Sequence, residues 1–354
     1  MDAALYHPDF GYYARAVQRS GRAGDFFTSV DVGPVFGELI AIQIAEMAAI
    51  LQATARSAVP VFDLVEAGAG SGRLSADILR ALRDRELYSR VRLHLVEASA
   101  SARDAQQSTL GDLSDRLSSA GASIPESFEG VLIANELLDA FPVHQVVMRD
   151  DGLREVYVGS ETGSDTALNL REGPLSTPAV SAYLSRLAVT LEPGWRAEIN
   201  LRAVEWIREA ARRLQRGFII LIDYGHEARD LYSASHAQGT LTTFSRHQAG
   251  MALAGEPAWL ERPGEQDITA HVDFTSVRDA AEAAGLTTIA FLDQTYFVLG
   301  LVEQWTAGAL AGRSAALKTL MMPGGLGSTH KVMIFGKGVG TPALQGCSFK
   351  VRVT

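Results

Sequence analysis

The hydrophobic pattern of the chain settles into a regular alternation from residue 61 onward. VFDLVEA (61–67), VRLHLVEA (91–98), GVLIANE (130–136) and GFIILIDYG (217–225) are short apolar runs that each end in polar residues. Such runs suit strands buried on both faces of a parallel sheet. Between them, RLSADILRALRDREL (73–87) and WRAEINLRAVEWIREAARRL (195–214) carry apolar residues at helical spacing. Strands alternating with helices predict a doubly wound α/β sheet. TTIAFLD (287–293) and KVMIFGKG (331–338) are predicted as a late strand pair added at a sheet edge.

Other stretches break this rhythm. Residues 1–34 carry turn signals and no regular period, which predicts an irregular segment whose aromatic residues (Tyr6, Phe10, Tyr12, Tyr13, Phe26, Phe27) pack over something. Residues 36–52 predict a helix. The polar region 150–190 and the region 226–265, with its Pro/Gly signals, read as surface insertions, and Gly325–Thr329 reads as a loop. The expected organisation is an N-terminal lid segment and helix (1–52), a nucleotide-binding domain with two insertions (53–340) and a tail (341–354).

Composition changes this picture little. The chain has 354 residues, 47% hydrophobic and 21% charged, as in ordinary soluble globular proteins. A net charge of −9 argues against a nucleic-acid partner. The single cysteine, Cys347, excludes an intrachain disulfide and a Cys-rich metal site, and suits a reducing compartment. The most apolar stretches are read as interrupted by charge short of the ~18 residues that suggest a membrane span. The N-terminus shows neither the basic nor the apolar part of a signal peptide. These features predict a cytoplasmic chain without membrane insertion.

The candidate chemistry begins at EAGAGSG (66–72), where a strand gives way to a helix. In open α/β sheets, ligands sit at the carboxyl ends of the strands where strand order reverses. Gly68, Gly70 and Gly72 allow a tight turn and close approach of the backbone to a ligand. The spacing lacks the third glycine of a dinucleotide fingerprint, whose position is Arg73, and lacks the Lys of a P-loop. Glu66 at the strand end would repel a pyrophosphate and welcome an ammonium or sulfonium group. S-adenosyl-L-methionine carries both and has no phosphate. Glu97 closes the next strand and can accept hydrogen bonds from ribose hydroxyls. Asn135-Glu136 closes a third.

The blocks LYHPDFGYY (5–13), GDFFTS (24–29), FGE (36–38), EAGAGSG (66–72), LVE (95–97), NELLDAFPV (135–143), IDYG (222–225) and DITAHVDF (267–274) resemble the MidA family of S-adenosylmethionine-dependent methyltransferases. The resemblance covers residues 4–336. It implies a class I, Rossmann-like methyltransferase fold with a mostly parallel seven-stranded sheet and the cofactor over the first strands. It implies that Gly24, Asp25, Phe26 and Thr28 line the cofactor and substrate cleft. It also implies that the methyl acceptor is an arginine of a protein, of the respiratory quinone-oxidoreductase subunit type. Thr295 stands where many members have glycine, and 248–262 is longer than the family pattern.

Arginine methylation sets requirements of its own. A guanidinium stays charged at all relevant pH, so carboxylates must fix it and offset its repulsion from a sulfonium. Glu136 and Asp139 are the candidates, and three-residue spacing on a helical turn would put both on one face. Asp223, at another strand tip, and the adjacent Tyr224 are candidate substrate-binding residues. If 270–274 is extended, His271 and Asp273 point the same way and could relay a proton, or form a structural pair. The remaining histidines, His226, His236 and His330 among them, show no metal-ligand spacing, and no metal is expected. A small-molecule O- or N-methyltransferase and a non-catalytic cofactor-binding assembly factor remain alternatives.

Overall fold

The structure, a computed structural model, describes residues 1–15, 28–54, 61–160, 168–245, 248–249, 257–303, 305–306, 310–322 and 325–349. The chain forms two compact units, each built from separated stretches. Met1–Phe26, Leu138–Ile207 and Gly225–Ala280 make the first; Phe27–Leu137, Arg208–Tyr224 and Ala281–Thr354 make the second.

The second unit contains the large sheet. Its strands, numbered in chain order, are β1 (Phe62–Ala67), β2 (Val91–Val96), β3 (Leu117–Gly121), β4 (Phe128–Asn135), β5 (Leu214–His226, through Tyr224 in this unit), β6 (Thr287–Asp293) and β7 (His330–Lys337). They lie in the order β3-β2-β1-β4-β5-β7-β6. The first five are parallel, whereas β7 is antiparallel to both β5 and β6. The predicted doubly wound sheet and its late antiparallel pair are both present. Strand β1 is buried along its whole length and β4 nearly so, as strands covered on both faces are, and the two acids of β1, Asp63 and Glu66, are buried with hydrogen-bond partners. Strand order reverses at β1, so a crevice opens at the carboxyl ends of β1 and β4.

Helix Pro34–Thr54 covers this sheet. By length and composition it could cross a membrane, contrary to the expectation that charge interrupts every apolar run. Phe36, Leu39, Ile40, Ile44, Met47 and Leu51 instead join Leu64, Leu79, Phe218 and Phe297 in the hydrophobic core. A helix apolar on nearly all sides belongs inside a core as readily as in lipid.

The first unit corrects two sequence expectations. Residues 1–34 are not irregular throughout: Asp2–Tyr6 and Tyr12–Arg15 are short helices, and Leu5 and Tyr12 form a small core with Ile268. Residues 195–214 are not one helix. Arg196–Ile199 is a strand, and Asn200 then caps helix Leu201–Arg213 by accepting the Ala203 N–H at 2.8 Å. The described residues of region 150–190, read as a surface insertion, form strands and a helix. Gly152–Ser160 and Leu168–Gly173 join His144–Arg149 and Arg196–Ile199 in a four-stranded antiparallel sheet, followed by helix Pro178–Leu187. A smaller three-stranded sheet pairs Gln248–Ala249, Thr242–Ser245 and Asp267–Thr269. In the second unit, the stretch read as a loop at Gly325–Thr329 contains a one-turn helix, Leu326–Thr329.

Candidate active site

The turn after β1 takes the form its glycines predict. Gly68, Gly70 and Gly72 all have left-handed backbones, with φ of 73°, 51° and 84°. The Gly68 and Ala69 N–H groups both donate to the Val96 carbonyl, which fastens the turn to the end of β2. A side chain at Gly70 would meet nothing within 4 Å, so the turn is open on that side. Helix Arg73–Leu82 begins directly after Gly72.

Two acids support this turn differently. Glu97 is half-buried; its Oε2 accepts the Gly70 N–H at 2.8 Å and its Oε1 accepts the Ser99 N–H at 2.7 Å. An ionised carboxylate offers about four lone-pair sites, so acceptor capacity remains for ligand hydroxyls. Glu66 is only 5% exposed. Its Oε2 accepts both the Ser75 N–H, at 3.1 Å, and the Ser75 hydroxyl, tying β1 to the helix that follows it. Burial pushes the Glu66 carboxyl up to about 7.

Two contacts with the turn escaped the sequence reading. Gln106, fully buried, donates its Nε2 to the Gly70 carbonyl at 2.9 Å. Arg73, at the position of the missing third glycine, pairs with Asp31 at 2.7 Å and donates to the Val30 carbonyl. Asp31 in turn accepts from the Thr28 N–H and hydroxyl, a capping box that starts the 3₁₀ turn Ser29–Val32. Thr28 is therefore anchored beside the start of the glycine-turn helix, through Asp31 and Arg73. Gly24, Asp25 and Phe26 lie outside the described residues.

At the tip of β4, Glu136 adopts a left-handed backbone, φ 51°, rare for a residue with a side chain and costing roughly 1–2 kcal/mol. Its N–H donates to the Ile222 carbonyl at the end of β5. Its Oε1 accepts the Ser29 N–H at 3.2 Å and the Asn135 amide at 3.1 Å, and lies 3.6 Å from His330 Nε2. No Lys or Arg pairs with Glu136 among the described residues. His330 is buried and packs edge-on against Tyr224, with ring centroids 5.6 Å apart. Asp223 is buried at the tip of β5; its oxygens accept the Leu137 and Tyr224 N–H groups, so it braces the turn that carries Glu136. His330 sits at the start of β7, far from Glu136 in sequence, and nothing local marked it.

The expected helical turn at 136–139 does not form. The left-handed Glu136 ends the strand, and the chain continues through bends and a turn, closed by the Phe141 N–H on the Leu138 carbonyl. Glu136 and Asp139 thus share no helix face, and they belong to different units. Asp139 is buried in the first unit, where its carbonyl accepts the Ala270 N–H.

His271 and Asp273 do not form a relay either. Asp273 caps helix Phe274–Ala283: one oxygen takes the Thr275 and Ser276 N–H groups, the other the Tyr183 and Ser276 hydroxyls. Burial raises its carboxyl above the usual range. His271 packs against His226 and His236. Burial, with these two rings, pushes its imidazole down to about 4.

S-adenosylmethionine fits the second unit's site on two observations. The turn at Gly70 is open beside the half-buried Glu97 carboxylate. Asn135 Oδ1 is a buried acceptor with no donor among the described residues, which a ligand ammonium would satisfy. A sheet in this order, with a glycine turn after β1 and an acid after β2, defines a class I methyltransferase using S-adenosyl-L-methionine.

Comparison with known proteins agrees. A family model described as "Putative S-adenosyl-L-methionine-dependent methyltransferase" matches residues 39–292. A crystal structure from Burkholderia thailandensis bound to S-adenosyl-homocysteine is 29% identical, with a TM-score of 0.83 over 98% of this chain and 88% of that one. Protein arginine methyltransferase NDUFAF7, mitochondrial, of Mus musculus is 28% identical over 95% of this chain and 75% of its own length. Its Homo sapiens counterpart is 29% identical over 80% of this chain and 64% of its own length. The chain belongs to this family of S-adenosylmethionine-dependent methyltransferases, the MidA family, and is an enzyme of that type. The relatives are named as mitochondrial, which overturns the cytoplasmic expectation. That expectation rested on a single cysteine and an unremarkable N-terminus, and neither feature tells one reducing compartment from another.

Proposed function

We propose that the chain methylates an arginine of a protein substrate, with Glu136 as the carboxylate that binds and orients the guanidinium. The observation that carries this reading is the state of Glu136. Its bonds to Ser29 and Asn135 and its approach to His330 all involve Oε1, and none involves Oε2. A carboxylate fixed by neutral donors on one oxygen, and by a strained backbone beneath, is preorganised for a cation on the other.

Bound S-adenosylmethionine supplies an electrophilic sulfonium methyl. The chain's own groups do the rest. Glu97 and the glycine turn position the cofactor, with Asn135 as acceptor for its ammonium. Glu136 aligns one guanidinium nitrogen and offsets its charge. With the cofactor bound, that nitrogen would be the methyl's acceptor, and the proton it gives up would pass to solvent. The relatives' names support arginine as the acceptor. The proposed substrate class is a respiratory quinone-oxidoreductase subunit, as the sequence resemblance implies.

The test uses methyl-labelled S-adenosylmethionine, the purified chain and an extract from cells lacking its gene. Label on arginine of one protein, lost in Glu136→Gln while S-adenosylhomocysteine still binds, is the expected result. Label on a small molecule or on lysine would overturn the reading.

A further inference from the structure

Three histidines far apart in sequence converge in the first unit. His226 ends strand β5, His236 closes the 3₁₀ turn Ala234–His236, and His271 immediately precedes the short strand Val272–Asp273. The ring centroids are 4.8 Å (His226–His236), 5.4 Å (His226–His271) and 5.8 Å (His236–His271) apart. One nitrogen from each ring lies within 4.8 Å of the other two. We infer that His226, His236 and His271 bind a divalent transition-metal ion, with zinc the best match, through three imidazole nitrogens.

Four features favour a metal over simple ring packing. Three neutral imidazoles are a recurrent zinc set that leaves a fourth position for water or another ligand. Imidazole alone, without carboxylate, selects zinc and its neighbours over calcium or magnesium. The closing motion is small: nitrogens about 2 Å from a tetrahedral zinc stand roughly 3.3 Å apart, so each must move by less than about 1 Å. The backbone also prepares the ligands. His236 Nδ1 lies 3.0 Å from the Asp230 carbonyl, which can only accept, so this contact has Nδ1 as its donor and leaves Nε2 as the nitrogen available to a metal. The His271 N–H donates to Thr240 Oγ1 at 3.1 Å, and Thr240 is fastened in turn to Glu198. All three rings are half-buried, which leaves an entry path.

Such an ion would clip together the end of β5, the 3₁₀ turn Ala234–His236 and the link between Asp267–Thr269 and Val272–Asp273. None of this needs cofactor or methyl acceptor, so it stands or falls apart from the proposed activity.

The test is a Co(II) titration of tag-free chain, stripped with chelator and then freed of it, followed by displacement with Zn(II). One Co(II) per chain with strong visible ligand-field bands, displaced by one equivalent of Zn(II), is expected. Zn(II) should also raise the thermal midpoint of the stripped chain. His236→Ala and His271→Ala should each weaken binding at least about tenfold. Should His271→Ala misfold, His236→Ala decides, because its ring lies on a half-exposed turn; circular dichroism checks its fold. Absence of ligand-field bands in the wild type, or undiminished binding in a folded His236→Ala chain, would overturn the inference.

Discussion

Replacing Glu66 by glutamine should remove a pH dependence that the wild-type fold carries beneath its glycine turn. Glu66 is buried, and its carboxyl stands at about 7 in the folded chain against an ordinary 4.5. Below pH 4.5 both folded and unfolded chains bind the proton; above 7 neither does. Between those values only the folded chain retains it, so stability falls as pH rises. At about 1.4 kcal/mol per pH unit, the gap between 4.5 and about 7 amounts to a loss of about 3 kcal/mol. Glutamine does not titrate, so Glu66→Gln lacks this term and shares every other titration with the wild type. Urea unfolding of both chains between about pH 5 and pH 7.5 isolates it. The wild-type stability should decline relative to the variant by most of that amount. Parallel profiles would refute the reasoning, and would mean that Glu66 is ionised in the fold despite its burial.

Other consequences follow from single residues. Gly70→Ala places a methyl on the open side of the turn at a left-handed backbone, costing about 1 kcal/mol of stability; calorimetry should show S-adenosylhomocysteine affinity lowered at least about tenfold. Unchanged affinity would mean that the cofactor does not approach there. Glu97→Ala frees the Gly70 and Ser99 N–H groups and removes the candidate ribose acceptor, so dissociation constants should rise about 10- to 100-fold in the same assay. Asp273→Ala removes a helix cap and strands the buried Tyr183 hydroxyl, at a cost of about 2–4 kcal/mol in urea unfolding. A loss of turnover without that destabilisation would restore a proton-relay role for Asp273.

Much of the fold is legible in the sequence. The parallel strands announced themselves as apolar runs too continuous to face water on either side, and the edge pair by its late position. The glycine spacing excluded a dinucleotide fingerprint and a P-loop, because backbone freedom is a local property, whereas Glu66, read as an acid facing the ligand, is buried against Ser75. The family resemblance added the acceptor class, on motif blocks that periodicity alone could not interpret.

What the sequence could not determine is which side chains meet. Glu66 and Glu97 look alike as strand-end acids, yet one turns inward to Ser75 and the other stays at the loop, because burial depends on neighbours brought in by the fold. NELLDAFPV has helical spacing, but the hydrogen bond from Glu136 to the Ile222 carbonyl holds its backbone left-handed, and a helix cannot start there. Asp273 reads as a partner for His271 until Tyr183, Thr275 and Ser276 take its oxygens. His330 reaches Glu136, and His226, His236 and His271 reach one another, across separations that no local pattern records. Sequence determines periodicity, charge and permitted backbone angles; proximity between distant residues arises only when the strands take their order and the turns close.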